Sequence, residues 1–83
     1  MNFTVESQRI YYQKDGKVLA EITFPKVQDG TFCIDHTFVD SSLRGQGVAG
    51  KLVELAVKEI TSHGGTVTAT CSYAKSWLEK HNI

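Results

Sequence analysis

The stretch "SSLRGQGVAGKLVELAV" (Ser41–Val57) places Gly45, Gly47 and Gly50 around Arg44 and then passes into a helical pattern. Ala49, Leu52, Val53, Ala56 and Ile60 share one face of a 3.6-residue period, with Lys51, Glu54, Lys58 and Thr61 opposite. Glu54 and Lys58 form a favourably ordered i,i+4 pair. The pattern predicts a helix from about Gly47 to Gly64-Gly65, where two glycines stop it. A helix start presents unpaired N–H groups and a positive dipole end, which together suit phosphate. Glycines in front of it let a ligand approach the backbone without Cβ atoms in the way. A diphosphate is therefore the natural ligand of this turn. The plainer reading is that the glycines only make a tight turn.

Upstream the period changes. Asp15-Gly16 and Asp29-Gly30 are hairpin signals, since a type I′ turn needs positive φ at both central residues. Three β-rich runs flank them: "QRIYYQ" (8–13), "VLAEITF" (18–24) and "TFCIDHTFV" (31–39). In the second, Val18, Ala20, Ile22 and Phe24 share a face. In the third, Phe32, Ile34, His36 and Phe38 share one face and Cys33, Asp35, Thr37 and Val39 the other. These runs read as an antiparallel three-stranded meander, with Pro25 fraying one end. Downstream, "TVTATC" (66–71) alternates as a strand. Ser72 is the expected N-cap of a last helix burying Ala74, Trp77, Leu78 and His81. The order is β-β-β-α-β-α, an α+β fold. A strand–helix–strand unit makes the fourth strand parallel to the third and extends the meander into one mixed sheet.

Gly45, Gly47 and Gly50 also satisfy G-x-G-x-x-G literally. That fingerprint belongs to a doubly wound parallel sheet, which an antiparallel meander in a chain of 83 residues excludes. No Gly-Lys-Ser/Thr follows, so a P-loop is excluded as well. The length fits one domain, residues 1–83. Nine basic and nine acidic residues cancel, which argues against nucleic acid and anionic membranes as partners. No run approaches a membrane span, and the N-terminus lacks a secretory pattern, so a cytoplasmic protein is expected. Cys33 and Cys71 are too few for a disulfide scaffold. Cys33 and His36, three apart on a strand, point to opposite faces and do not make a zinc pair, so no metal is expected.

"LRGQGVAGKLV" resembles the acetyl-CoA signature of the GNAT acetyltransferases, Gln/Arg-x-x-Gly-x-Gly/Ala at a helix start. Arg44, Gly47 and Ala49 hold its defined positions. "HTFV" (36–39) and "CSYAKSWLEKH" (71–81) resemble small stand-alone GNAT-like proteins. The resemblance implies acetyl-CoA as co-substrate and transfer of acetyl to an amine. It implies that backbone N–H groups of Arg44, Gly45, Gln46, Gly47, Val48 and Ala49 hold the pyrophosphate, and that Phe38 and Val39 flank the pantetheine arm. The segment that shapes the acceptor site in full-length GNAT domains has no counterpart here. That raises two alternatives: a coenzyme A-binding module without activity, and a homodimer whose second copy completes the site.

Three residues are candidates for the chemistry. Cys71 precedes a helix start, which lowers a thiol pKa, and is placed to accept the acetyl group. The alternative is a small buried hydrophobe. His36 has a side chain suited to taking a proton from Cys71 or an amine; its alternative is a hydrogen-bonded core residue. Tyr73 is placed to protonate the departing thiolate, or simply to pack. Asp35 and Asp40 are alternative carboxylate bases. The backbone N–H near Val39 or Val48 is the candidate polariser of the thioester carbonyl.

Overall fold

The turn chemistry of the first half is realised at Asp15-Gly16. Both residues take positive φ, 52° and 79°, and join β2 (Arg9–Lys14) to β3 (Lys17–Thr23). A short strand that the sequence did not announce, β1 (Thr4–Glu6), pairs with β2. Asp29-Gly30 behaves differently. Only Gly30 has positive φ, so the turn is not type I′. It joins another short strand, β4 (Lys26–Gln28), to β5 (Thr31–Ile34). The computed structural model describes all 83 residues.

The expected third strand is two strands. β5 stops at Ile34 and β6 spans His36–Val39. Asp35 N–H donates to the Thr23 carbonyl, while the register pairs Thr23 with His36. Two residues thus oppose one, which is a β-bulge. The Thr23 hydroxyl donates to the Asp35 carboxylate at 2.5 Å and ties the bulge to β3. The single mixed sheet is replaced by two sheets. One is β1-β2-β3-β6, antiparallel throughout; the other is β4-β5-β7, with β7 (Thr66–Ala69) parallel to β5. The α+β class and the parallel strand after the helix are as expected.

The bulge also inverts which face each side chain takes. Ile34 is fully buried, yet His36 and Phe38 are exposed, and Thr37 and Val39 turn inward in their place. The expectation that His36 and Phe38 share the core face with Ile34 is therefore corrected.

Helix α1 (Val48–Ser62) crosses from β6 to β7 and buries Val48, Leu52, Val53, Ala56, Val57 and Ile60. They pack with Ile10, Ala20 and Ile22 of the first sheet, Phe24 just beyond β3, and Ile34 of the second. Full burial of each such aliphatic side chain contributes about 1.5–3 kcal/mol. Helix α2 (Ser72–Lys80) adds Ala74 and Leu78 to the core. Its N-cap is Cys71, not Ser72. His81 is exposed rather than buried and stacks on Trp77, with ring centroids 3.8 Å apart.

Candidate active site

The two sheets part at Ile34. Its carbonyl accepts from Thr70 N–H (3.1 Å) and Cys71 N–H (3.2 Å). Beyond that point β6 pairs only with β3, so its other edge is open. Asp40 N–H donates to the Leu19 carbonyl. Antiparallel alternation then turns the N–H groups of Thr37 and Val39 toward the open edge. A wedge results, with β6 on one side and the β7–α2 turn on the other.

Cys71 sits at the apex of the wedge. Its Sγ lies 3.6 Å from the Thr37 hydroxyl oxygen. Burial pushes the thiol pKa up, but hydrogen bonds outweigh it. The Ala74 N–H, the Thr37 hydroxyl and the N–H groups of Tyr73 and Thr37 all favour the thiolate and hold the thiol below its ordinary range. These donors come from the first turn of α2 and from the open edge of β6. The bulge is what brings Thr37, rather than His36, to this place. The sequence reading missed Thr37, because the change of alternation after Asp35 shows only in the structure.

His36 does not meet Cys71. It lies on the outer face of β6, its side chain 53% exposed, with Nε2 3.5 Å from Glu21 Oε1. Glu21 in turn accepts from Arg9 Nε, and the Arg9 guanidinium lies 4.0 Å from the Tyr11 ring centre. The expected His36–Cys71 pair is thus not formed: alternation along β6 sets Thr37 and His36 on opposite faces. Asp35 is engaged by Thr23. Asp40 caps the short 3-10 turn Ser41–Leu43, and hydrogen bonds from the Ser42 hydroxyl and N–H hold its carboxyl below the usual range. Both carboxylates have structural work.

The wedge opens into a shallow cleft of about 220 Å³, lined by Val39, Leu43, Arg44, the glycine turn, the first turn of α1 and Tyr73. Gly45 and Gly47 take φ of 82° and 70°, left-handed values that ordinary side chains rarely adopt. The first α1 bond runs from Lys51 N–H to the Gly47 carbonyl. None of the N–H groups from Gly45 to Gly50 has an acceptor within the protein. The Gly47 cap supplies no side chain, and the first turn carries no acidic residue. This open row of donors at a positive helix end is complementary to a diphosphate. A larger concavity, about 260 Å³, lies at the far end of α1 between Gln8, Lys26, Phe32 and His63, remote from Cys71.

The family profile described as GCN5-related N-acetyl-transferase matches residues 9–83. The chain belongs to the GNAT family. A GCN5-like N-acetyltransferase candidate from Staphylococcus aureus, known from its solution structure, superposes on this GNAT chain with a TM-score of 0.79 at 34% identity. That match covers 98% of this chain and 80% of the other. Glucosamine-6-phosphate N-acetyltransferase from Arabidopsis thaliana matches with a TM-score of 0.61 at 26% identity, over 93% of this chain and 60% of that enzyme. An N-acetyltransferase from Staphylococcus aureus Mu50 shares the fold, with a TM-score of 0.67 at 24% identity over 89% of this chain. The GNAT chain covers only half of that protein. No curated protein matches the sequence. No helix is long and apolar enough to cross a membrane.

Proposed function

We propose that this GNAT chain is an acetyl-CoA-dependent N-acetyltransferase that passes acetyl to an amine through Cys71. The observation that carries the reading is the row of unpaired N–H groups from Gly45 to Gly50, which shares one cleft with Val39 of β6 and Tyr73 of α2, each two residues from Thr37 and Cys71 at the apex of the wedge. The row binds the diphosphate, each hydrogen bond to charged oxygen contributing about 1.5–3 kcal/mol. Arg44 adds an exposed guanidinium at the rim. The open edge of β6 binds the pantetheine amides as an added strand would be bound. The Val39 N–H, on the same edge, is then the donor for the thioester oxygen as it gains negative charge.

The Cys71 thiolate attacks the thioester carbonyl carbon. A bond from Sγ to that carbon forms as the bond to the coenzyme A sulfur breaks. Coenzyme A leaves as a thiolate and takes a proton from water. A neutral amine then attacks the acetyl-cysteine carbon, and Cys71 departs as a thiolate again. Its lowered pKa favours both steps, because the thiolate is at once nucleophile and leaving group. The proton that the amine loses passes to water, because His36 stands on the opposite face of β6 from Cys71.

Thermal unfolding with acetyl-CoA, against ATP and NAD as controls, tests binding. A ligand at 100 times its Kd adds about 2.7 kcal/mol. Intact-mass measurement after mixing tests the chemistry: one acetyl on Cys71 is expected, and none on Cys71→Ala. Turnover of an amine without the adduct would replace the covalent route by direct transfer. Binding with neither adduct nor turnover would make the chain a coenzyme A-binding module. No thermal shift at all would remove the reading.

A further inference from the structure

Gly50 is the third residue of α1 and has ordinary helical φ. Its lack of a Cβ serves something else. The position a Cβ would take lies 3.3 Å from the Tyr73 hydroxyl oxygen and 3.7 Å from Trp77 Nε1. Tyr73 and Trp77 are four residues apart on α2, so they lie on one face of it. Both direct a polar hydrogen-bonding atom at the first turn of α1. Neither atom has a partner within the protein, and Trp77 Nε1 is not sealed from solvent. The indole is held in place by His81, whose ring stacks on it with planes 15° apart. His81 Nδ1 lies 2.8 Å from the Trp77 carbonyl oxygen, which anchors the stack to the helix.

We infer that Tyr73 and Trp77 form the side-chain wall of the diphosphate site, donating from Oη and Nε1 to the phosphate oxygens that the α1 backbone N–H groups hold from the other side. The inference rests on the acetyl-CoA reading above. Its chemistry is specific. An O–H and an N–H that converge beside a row of N–H donors are all complemented by one kind of group, rich in acceptors and negatively charged. A neutral arm or an amine acceptor does not fit that set. The Tyr73 hydroxyl approaches the first turn of α1 closely where Gly50 leaves the space. Tyr73 is thereby assigned to diphosphate binding rather than to protonation of the departing thiolate.

Trp77 is the one tryptophan in the chain, so its indole N–H gives one resolvable resonance in a 15N-labelled sample. Titration with coenzyme A should move that resonance, while pantetheine, which lacks the phosphates, should leave it in place. Dissociation constants for coenzyme A should rise about tenfold in Tyr73→Phe and in Trp77→Phe, the scale of one lost hydrogen bond to charge. Those for pantetheine should not change. Equal weakening of both ligands, or a resonance that responds equally to both, would overturn the assignment while leaving the acetyl-CoA reading intact. If wild-type protein bound no coenzyme A, the acetyl-CoA reading itself would fall. Should a variant unfold, the resonance of the wild-type protein still decides the matter.

Discussion

Cys71 is where opposed effects on a single atom are most informative. Burial alone makes its thiol a weaker acid; the donors from Ala74, Thr37 and Tyr73 make it a stronger one, and the donors prevail. Alkylation by iodoacetamide should therefore reach half its maximal rate at a pH below the ordinary thiol value of about 8.5. Thr37→Val removes the hydroxyl but keeps the backbone N–H, so the midpoint should rise only part of the way back. A midpoint unmoved by Thr37→Val would show that the backbone donors act alone. The sign for stability follows. Between the folded and unfolded pKa values the unfolded chain binds more protons, so this contribution is fully present above the unfolded value. It is lost as pH falls through the folded one. Cys71 was legible in the sequence because it stands between a strand and a helix start. Thr37 and the outward turn of His36 were not. Alternation counted from Phe32 gives the wrong face after Asp35, and nothing in "CIDHT" marks the extra residue of the bulge.

The glycine turn and α1 separate two reasons for glycine that look alike in a sequence. Gly47 is needed for its backbone: at φ 70° it starts α1 from a left-handed conformation, and a Cβ there would meet open space. Gly50 is needed for space: its backbone is helical, and a Cβ would press on Tyr73. Gly47→Ala should thus lower stability by about 1–2 kcal/mol, the cost of left-handed backbone for an L-residue. Gly50→Ala should not, because alanine favours helix by about 1 kcal/mol over glycine, which offsets the displaced side chain. Urea midpoints would check this, and equal losses in the two variants would refute the distinction. Periodicity made α1 legible to within a residue or two at its start. The short strands β1 and β4 were missed because each has three residues, all exposed, and so no alternation of burial to read.

Across the whole molecule, the two sheets are joined by two short runs of chain, Phe24-Pro25 and Asp35, and what unites them is the core beneath α1. Ile10, Ile22 and Phe24 from one side and Ile34 from the other meet the same helix face, and Ala74 and Leu78 bring α2 into the same cluster. One core thus spans both sheets, and unfolding should be one event. Leu52 is fully buried within that cluster. Leu52→Ala should cost about 2–5 kcal/mol. That is a large part of the total available to a chain of this size, roughly 4–12 kcal/mol at 0.05–0.15 kcal/mol per residue. A drop in Tm of at least about 8 °C is expected, since each kcal/mol moves a domain of this size by about 4–8 °C. The discriminating measurement is the pair of probes. Trp77 fluorescence reports on α2 beside the second sheet, and far-ultraviolet circular dichroism reports on the whole backbone. In wild type and in Leu52→Ala the two transitions should coincide and move together. If the Trp77 transition held its place while the dichroism transition fell, the sheets would be separately stable. The wedge at Ile34 would then be a hinge between two units rather than a fixed cleft in one.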